Sequence, residues 1–127
     1  MNITATVAQN LVRVCGLVLI VLGTLFWSGN ALTLIPVHML VGLVLVLSLW
    51  TMAFLAARAG VAPGLVVLAV LWGLLVTIFG FTQDQLLTGD AHWVIKVLHL
   101  LVGLGAIGQS EGLAVRIRQA QAVPLRP

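Results

Sequence analysis

The sequence predicts an all-α protein, a transmembrane four-helix bundle built from two repeated helical hairpins. Three observations predict it. Of 127 residues, 61% are hydrophobic and 7% charged, and the mean hydropathy of +1.21 lies far outside the composition of soluble domains. Four apolar runs, at about 11–28, 35–57, 63–82 and 91–110, have the length of roughly 20 residues that a helix needs to cross a bilayer. One short sequence also occurs twice, as His38-Met39-Leu40-Val41-Gly42-Leu43 and as His99-Leu100-Leu101-Val102-Gly103-Leu104.

The first run follows Arg13 and stops at Ser28-Gly29-Asn30. It has the pattern of a secretory signal, but the expectation is that it is retained as a helix. Cys15, the single cysteine, offers no disulfide and no zinc or thiol-redox motif and is read as a small core residue. Pro36 falls in the first turn of the second run, where proline is tolerated. Gly60 to Gly64, with Pro63, separates the second run from the third, and Thr88-Gly89-Asp90 breaks the chain before the fourth. The longest polar interval, Thr82 to Asp90, is only a short loop, so residues 1–127 are expected to form one integral membrane domain. The tail, 111–127, carries Arg116 and Arg118 and ends in Pro124 and Pro127; the fourth helix is expected to run out of the membrane into it and then fray.

The net charge of +3 matters through its placement. Arg13, Arg58, Arg116, Arg118 and Arg126 lie at the amino end, the second loop and the tail, whereas the first and third loops have no arginine and the third carries Asp84 and Asp90. By the positive-inside rule both termini are cytoplasmic, in a bacterial inner or plasma membrane. A basic balance of this kind implies orientation, not nucleic-acid binding. Trp27 and Trp93 fit an aromatic belt near helix ends, while Trp50 and Trp72 lie deeper, in the core or against lipid.

The repeat extends beyond the histidine motif. Gly16 and Gly23 in the first run, and Gly73 and Gly80 in the third, share a spacing of seven, and each pair precedes one histidine motif. Two like-oriented hairpins would be related by a pseudo-twofold axis along the membrane normal. Depth then brings the histidines together. His38 is 20 residues from Arg58, or about 30 Å along a helix, and His99 is 17 from Arg116, or about 26 Å. Both are expected toward the non-cytoplasmic side at similar heights.

An imidazole in hydrocarbon is costly and normally faces a partner, a cavity or a cofactor. Gly42 and Gly103 lie four residues beyond each histidine, on the same face, and with Gly16, Gly23, Gly73 and Gly80 they leave clearance for a flat ligand. Small residues also serve plain helix contact, the reading favoured for the cluster Gly103, Gly105, Gly108 and Gly112. His92, Lys96, His99 and Gly103 form one stripe on the fourth helix. Lys96 either neutralises an anionic group of such a ligand or snorkels to the interface, and His92 either hydrogen-bonds that group or sits among the headgroups.

This arrangement resembles the small membrane-anchored b-type cytochromes, including the haem-binding bundles of respiratory complexes, over roughly residues 11–110. The resemblance implies one haem b per chain, with His38 and His99 as axial ligands between the second and fourth helices. Gly16, Gly23, Gly42, Gly73, Gly80 and Gly103 would be the ring-facing small residues, and Lys96 and His92 the partners of the propionates. Larger members carry a second histidine pair near the other face, which this chain lacks. With both axial positions filled, the implied activity is single-electron transfer at the non-cytoplasmic side, with a quinol or a periplasmic redox protein as partner, rather than catalysis at iron.

Three other readings of the same residues stay open. Duplication copies a histidine automatically, and two imidazoles can bond backbone carbonyls or each other in a non-redox scaffold or accessory subunit that forms a homo-oligomer or joins a larger complex. A bare metal ion lacks a convergent carboxylate or thiolate. A transporter lacks an intramembrane acid, since Asp84, Asp90 and Glu111 are expected at interfaces, solvated and not catalytic. Hydrolase and ATPase chemistry have no motif, and whether the chain is itself an enzyme is left undecided.

Overall fold

The computed structural model describes residues 1–122, and those residues are helical with short connections. Helix α1 spans Ile3–Trp27, α2 Ile35–Arg58, α3 Pro63–Thr82 and α4 His92–Ala122. All four are long and apolar enough to cross a membrane, as expected of an integral membrane protein. A 3-10 turn at Leu32–Leu34 leads into α2, and another at Gln83–Gln85 follows directly on α3.

The breaks follow the local chemistry of the backbone. At the end of α1, Gly29 takes φ +78°, the Gly29 amide donates to the Phe26 carbonyl and the Asn30 amide to that of Leu25. The end of α2 repeats this: Gly60 takes φ +79°, with the Gly60 amide on Ala57 and the Val61 amide on Ala56. Both are left-handed glycine caps of the Schellman kind, which close the orphan carbonyls of a helix end. Pro63 then starts α3 at a position where its missing N–H costs nothing.

One expected boundary moves. Helix α1 begins eight residues before the expected start, because the Asn2 side chain accepts a hydrogen bond from the Ala5 amide at 2.9 Å and caps it. The fourth helix runs past the apolar span that ends at about 110, the extension expected there, and continues to Ala122, burying Leu113, Ala114 and Ile117. The remainder of the expected tail, residues 123–127, lies outside the described residues.

Each helix contacts its neighbours in sequence, α1 also contacts α4, and α2 meets α4 across the diagonal, while α1 and α3 do not touch. The close-packed core is asymmetric along the bundle. Ala5, Ala8 and Val12 of α1, Leu49, Met52 and Ala56 of α2, Ala69 of α3 and Leu113, Ala114 and Ile117 of α4 all lie toward the end that carries the amino terminus and the α2–α3 turn. Alanine at so many of these positions lets the backbones approach. A polar clasp ties the same end: Arg13 Nε donates to Glu111 Oε1 at 2.6 Å, and buried Gln9 donates its amide to Glu111 Oε2 at 2.7 Å.

The deeper tryptophans join adjacent helices. Trp50 Nε1 donates to the Val70 carbonyl at 3.1 Å and Trp72 Nε1 to the Val102 carbonyl at 2.9 Å. Each indole lies where a side chain on a facing glycine would stand, Gly73 under Trp50 and Gly105 under Trp72. Gly105 therefore serves helix contact as expected, whereas Gly108 and Gly112 have no neighbour within 4 Å of an added Cβ.

Candidate functional site

Toward the opposite end, where the α1–α2 and α3–α4 loops lie, the helices separate around a cavity of about 700 Å³. That volume falls in the range of pockets that hold cofactors and other small ligands, about 300–1,000 Å³. Every helix contributes to its wall. His38 is the fourth residue of α2 and His99 the eighth of α4, so two helices that meet across the diagonal supply one imidazole each.

The two rings face one another with centroids 6.2 Å apart and planes tilted by 42°. Two imidazoles that share one metal ion, each bound at about 2 Å through nitrogen, have ring centres about 6 Å apart when the roughly 1 Å from nitrogen to ring centre is added on each side. The observed separation matches that span. Nδ1 of both rings is buried and without a hydrogen-bond partner, and neither Nε2 is sealed in this way. The free nitrogens are therefore those that the cavity can use.

Each histidine is set by its hairpin partner. A Cβ added to Gly23 would stand 3.8 Å from Cε1 of His38, and one added to Gly80 would stand 3.7 Å from Cε1 of His99. Phe26 presents its ring edge-on to His38 at 5.4 Å, and Phe79 does so to His99 at 5.8 Å, with interplanar angles of 60° and 62°. The phenylalanines were not expected as site residues. The signal for Phe26 lay in its spacing, three residues from Gly23 and so on the same face of α1, while Phe79 directly precedes Gly80.

The other expected residues divide. Gly16, Gly23, Gly42, Gly80, Gly103, His92 and Lys96 line the cavity, whereas Gly73 does not and lies instead beneath Trp50. Gly103 has no atom within 4 Å of an added Cβ, and Gly42 only Leu19 Cδ2 at 4.0 Å, so both open onto space. Gly16 is covered by Ile107, which closes the floor. At the mouth, Lys96 Nζ stands 5.9 Å from the centre of the Trp27 ring, and His92 Nδ1 donates to the Leu86 carbonyl at 3.1 Å. Gln83 and Asp84 border the same mouth.

The chain matches no family model, no curated protein and no solved structure. Its chemistry is therefore read from the site itself. Among the described residues no three His, Cys, Asp or Glu side chains converge, so a bare metal ion would find an incomplete ligand set. A ligand that carries its own equatorial donors needs only the two axial nitrogens. The donor pair, the open space over Gly42 and Gly103 and a lysine at the mouth are compatible with a haem.

Proposed function

We propose that this protein is a membrane b-type cytochrome that holds one haem between α2 and α4 and exchanges single electrons near the loop end of the bundle. The observation that carries the proposal is the facing pair His38 and His99, 6.2 Å between ring centres, inside a glycine-lined cavity of about 700 Å³. When bound, a haem supplies a one-electron couple at iron. The protein's own residues do the rest. His38 and His99 would hold the iron between their imidazoles and so keep other ligands from it. Gly23, Gly42, Gly80 and Gly103 give room to a planar macrocycle, Phe26 and Phe79 fix the imidazoles by edge contact, and Lys96 offers a positive charge at the mouth.

The arginine placement supports an orientation in which both termini and the α2–α3 turn face the cytoplasm, so the haem lies toward the opposite surface. The matched contacts of Gly23 with His38 and of Gly80 with His99 support a reading of the two hairpins as copies of one unit. A quinol or a periplasmic redox protein is the fitting electron partner at that surface. A single haem displaced to one side leaves most of the membrane thickness without a redox centre, so the chain exchanges electrons on one face unless it sits in a larger complex.

A visible spectrum of the protein purified from haem-replete membranes tests the proposal. The expected result is a sharp Soret band with resolved α and β bands on reduction, lost in His38→Ala and in His99→Ala. A colourless, folded wild-type preparation would sink it.

A further inference from the structure

The two halves of the cavity wall match at the histidines and diverge at the mouth. Three residues before His99 stands Lys96, whereas three before His38 stands Ile35, and the residue after Gly23 is Thr24, whereas the one after Gly80 is Phe81. Four residues beyond Gly23 comes Trp27, but four beyond Gly80 comes Asp84. All six border the cavity. The α1 side of the mouth therefore presents a hydroxyl and an indole with an ammonium over it, Lys96 Nζ lying 5.9 Å from the centre of the Trp27 ring. The α3 side presents a phenyl ring and a carboxylate.

Lys96 is the chain's single lysine and is half-buried, yet among the described residues it has no anionic partner, since the one salt bridge there joins Arg13 to Glu111 at the other end of the bundle. An aromatic face compensates a cation only in part, and a charge at membrane depth normally has a counter-ion. A flat ring held by imidazoles from α2 and α4 turns its faces to those helices and its edges to α1 and α3, the pair that do not touch. The two edges of a haem are unlike, because only one carries carboxylates. Resting on the haem reading above, we propose that the mouth admits the haem in one orientation, with its carboxylate edge on the α1 side, where Lys96 leaves Trp27 to pair with a propionate, and its apolar edge on the α3 side against Phe81. Attraction by Lys96 and repulsion by Asp84 act in the same sense, the two elements from which specificity is built. His38 and His99 bind iron alike in either orientation, so the choice belongs to these mouth residues.

Two measurements on the haem-loaded wild-type protein test the inference. In proton NMR of the reduced form, the propionate methylenes should show nuclear Overhauser contacts to Trp27 and none to Phe81. Contacts to Phe81, alone or beside those to Trp27, overturn it. Treatment with a water-soluble carbodiimide should condense a bound propionate with Lys96 Nζ into an amide, the carbodiimide taking up the water as a urea, and mass spectrometry should place the haem on the peptide that contains Lys96. A haem left uncoupled, or Lys96 joined to Asp84 in its place, overturns it as well. In the double variant Lys96→Ile with Asp84→Asn the charge difference is gone, and propionate contacts to Phe81 should appear alongside those to Trp27; a single set to Trp27 alone would remove the assignment to these two residues. A wild-type protein without haem absorption fails at the earlier step and removes both proposals, a result distinguishable from all of these.

Discussion

At the scale of single residues, the site depends on side chains that are missing as much as on those present. An alanine at Gly80 fits beside His99, but a branched or long side chain there would have to displace the imidazole or fill the space in front of it. Gly80→Leu is therefore expected to abolish the Soret band in a protein that still purifies as a folded, helical monomer or oligomer, checked by absorbance and circular dichroism together. The histidines and most of the glycines were legible in the sequence because the same His-x-Leu-Val-Gly-Leu occurs twice. Gly73 shows the limit of that reading. Its spacing from Gly80 copies that of Gly16 from Gly23, yet it receives Trp50 instead of bordering the cavity. A repeat in sequence fixes which face of a helix a glycine occupies, and the neighbouring helix decides what lies against it.

Among the helices, the connection of α1 to α4 rests on one carboxylate. Glu111 accepts from Arg13 and from Gln9, and Gln9 is 3% exposed. Removing the carboxylate strands a buried amide, at a cost of about 1–3 kcal/mol, whereas the exposed ion pair with Arg13 contributes far less. Glu111→Ala should lower the thermal midpoint in detergent more than Arg13→Ala does, and Glu111→Gln, which retains an acceptor for Gln9, should recover most of the loss. The expectation that Glu111 is solvated at an interface missed this, since a partner 102 residues away in sequence leaves no local pattern. The early start of α1 was readable in principle: Asn2 is a favourable cap, but the apolar run that marks the span begins later. The glycine turns at Gly29 and Gly60 were the most legible elements, because only a left-handed residue closes a helix in that way.

Across the whole molecule, packing and cavity occupy opposite ends. The positive-inside orientation predicts that a cysteine placed at Gly89, after removal of Cys15 by alanine, is labelled by a membrane-impermeant maleimide from the non-cytoplasmic side. A cysteine at Arg118 should be labelled only after the membrane is opened; the reverse pattern would put the candidate site on the cytoplasmic face. Most of the residues that hold the four helices together, from Ala5 and Val12 through Met52 and Ala56 to Ile117, do not border the cavity; Leu45 belongs to both. Folding is thus expected to proceed without a ligand. Under the haem proposal, the chain would be inserted and assembled first and charged with its cofactor afterwards, as an empty receptacle that waits in the membrane.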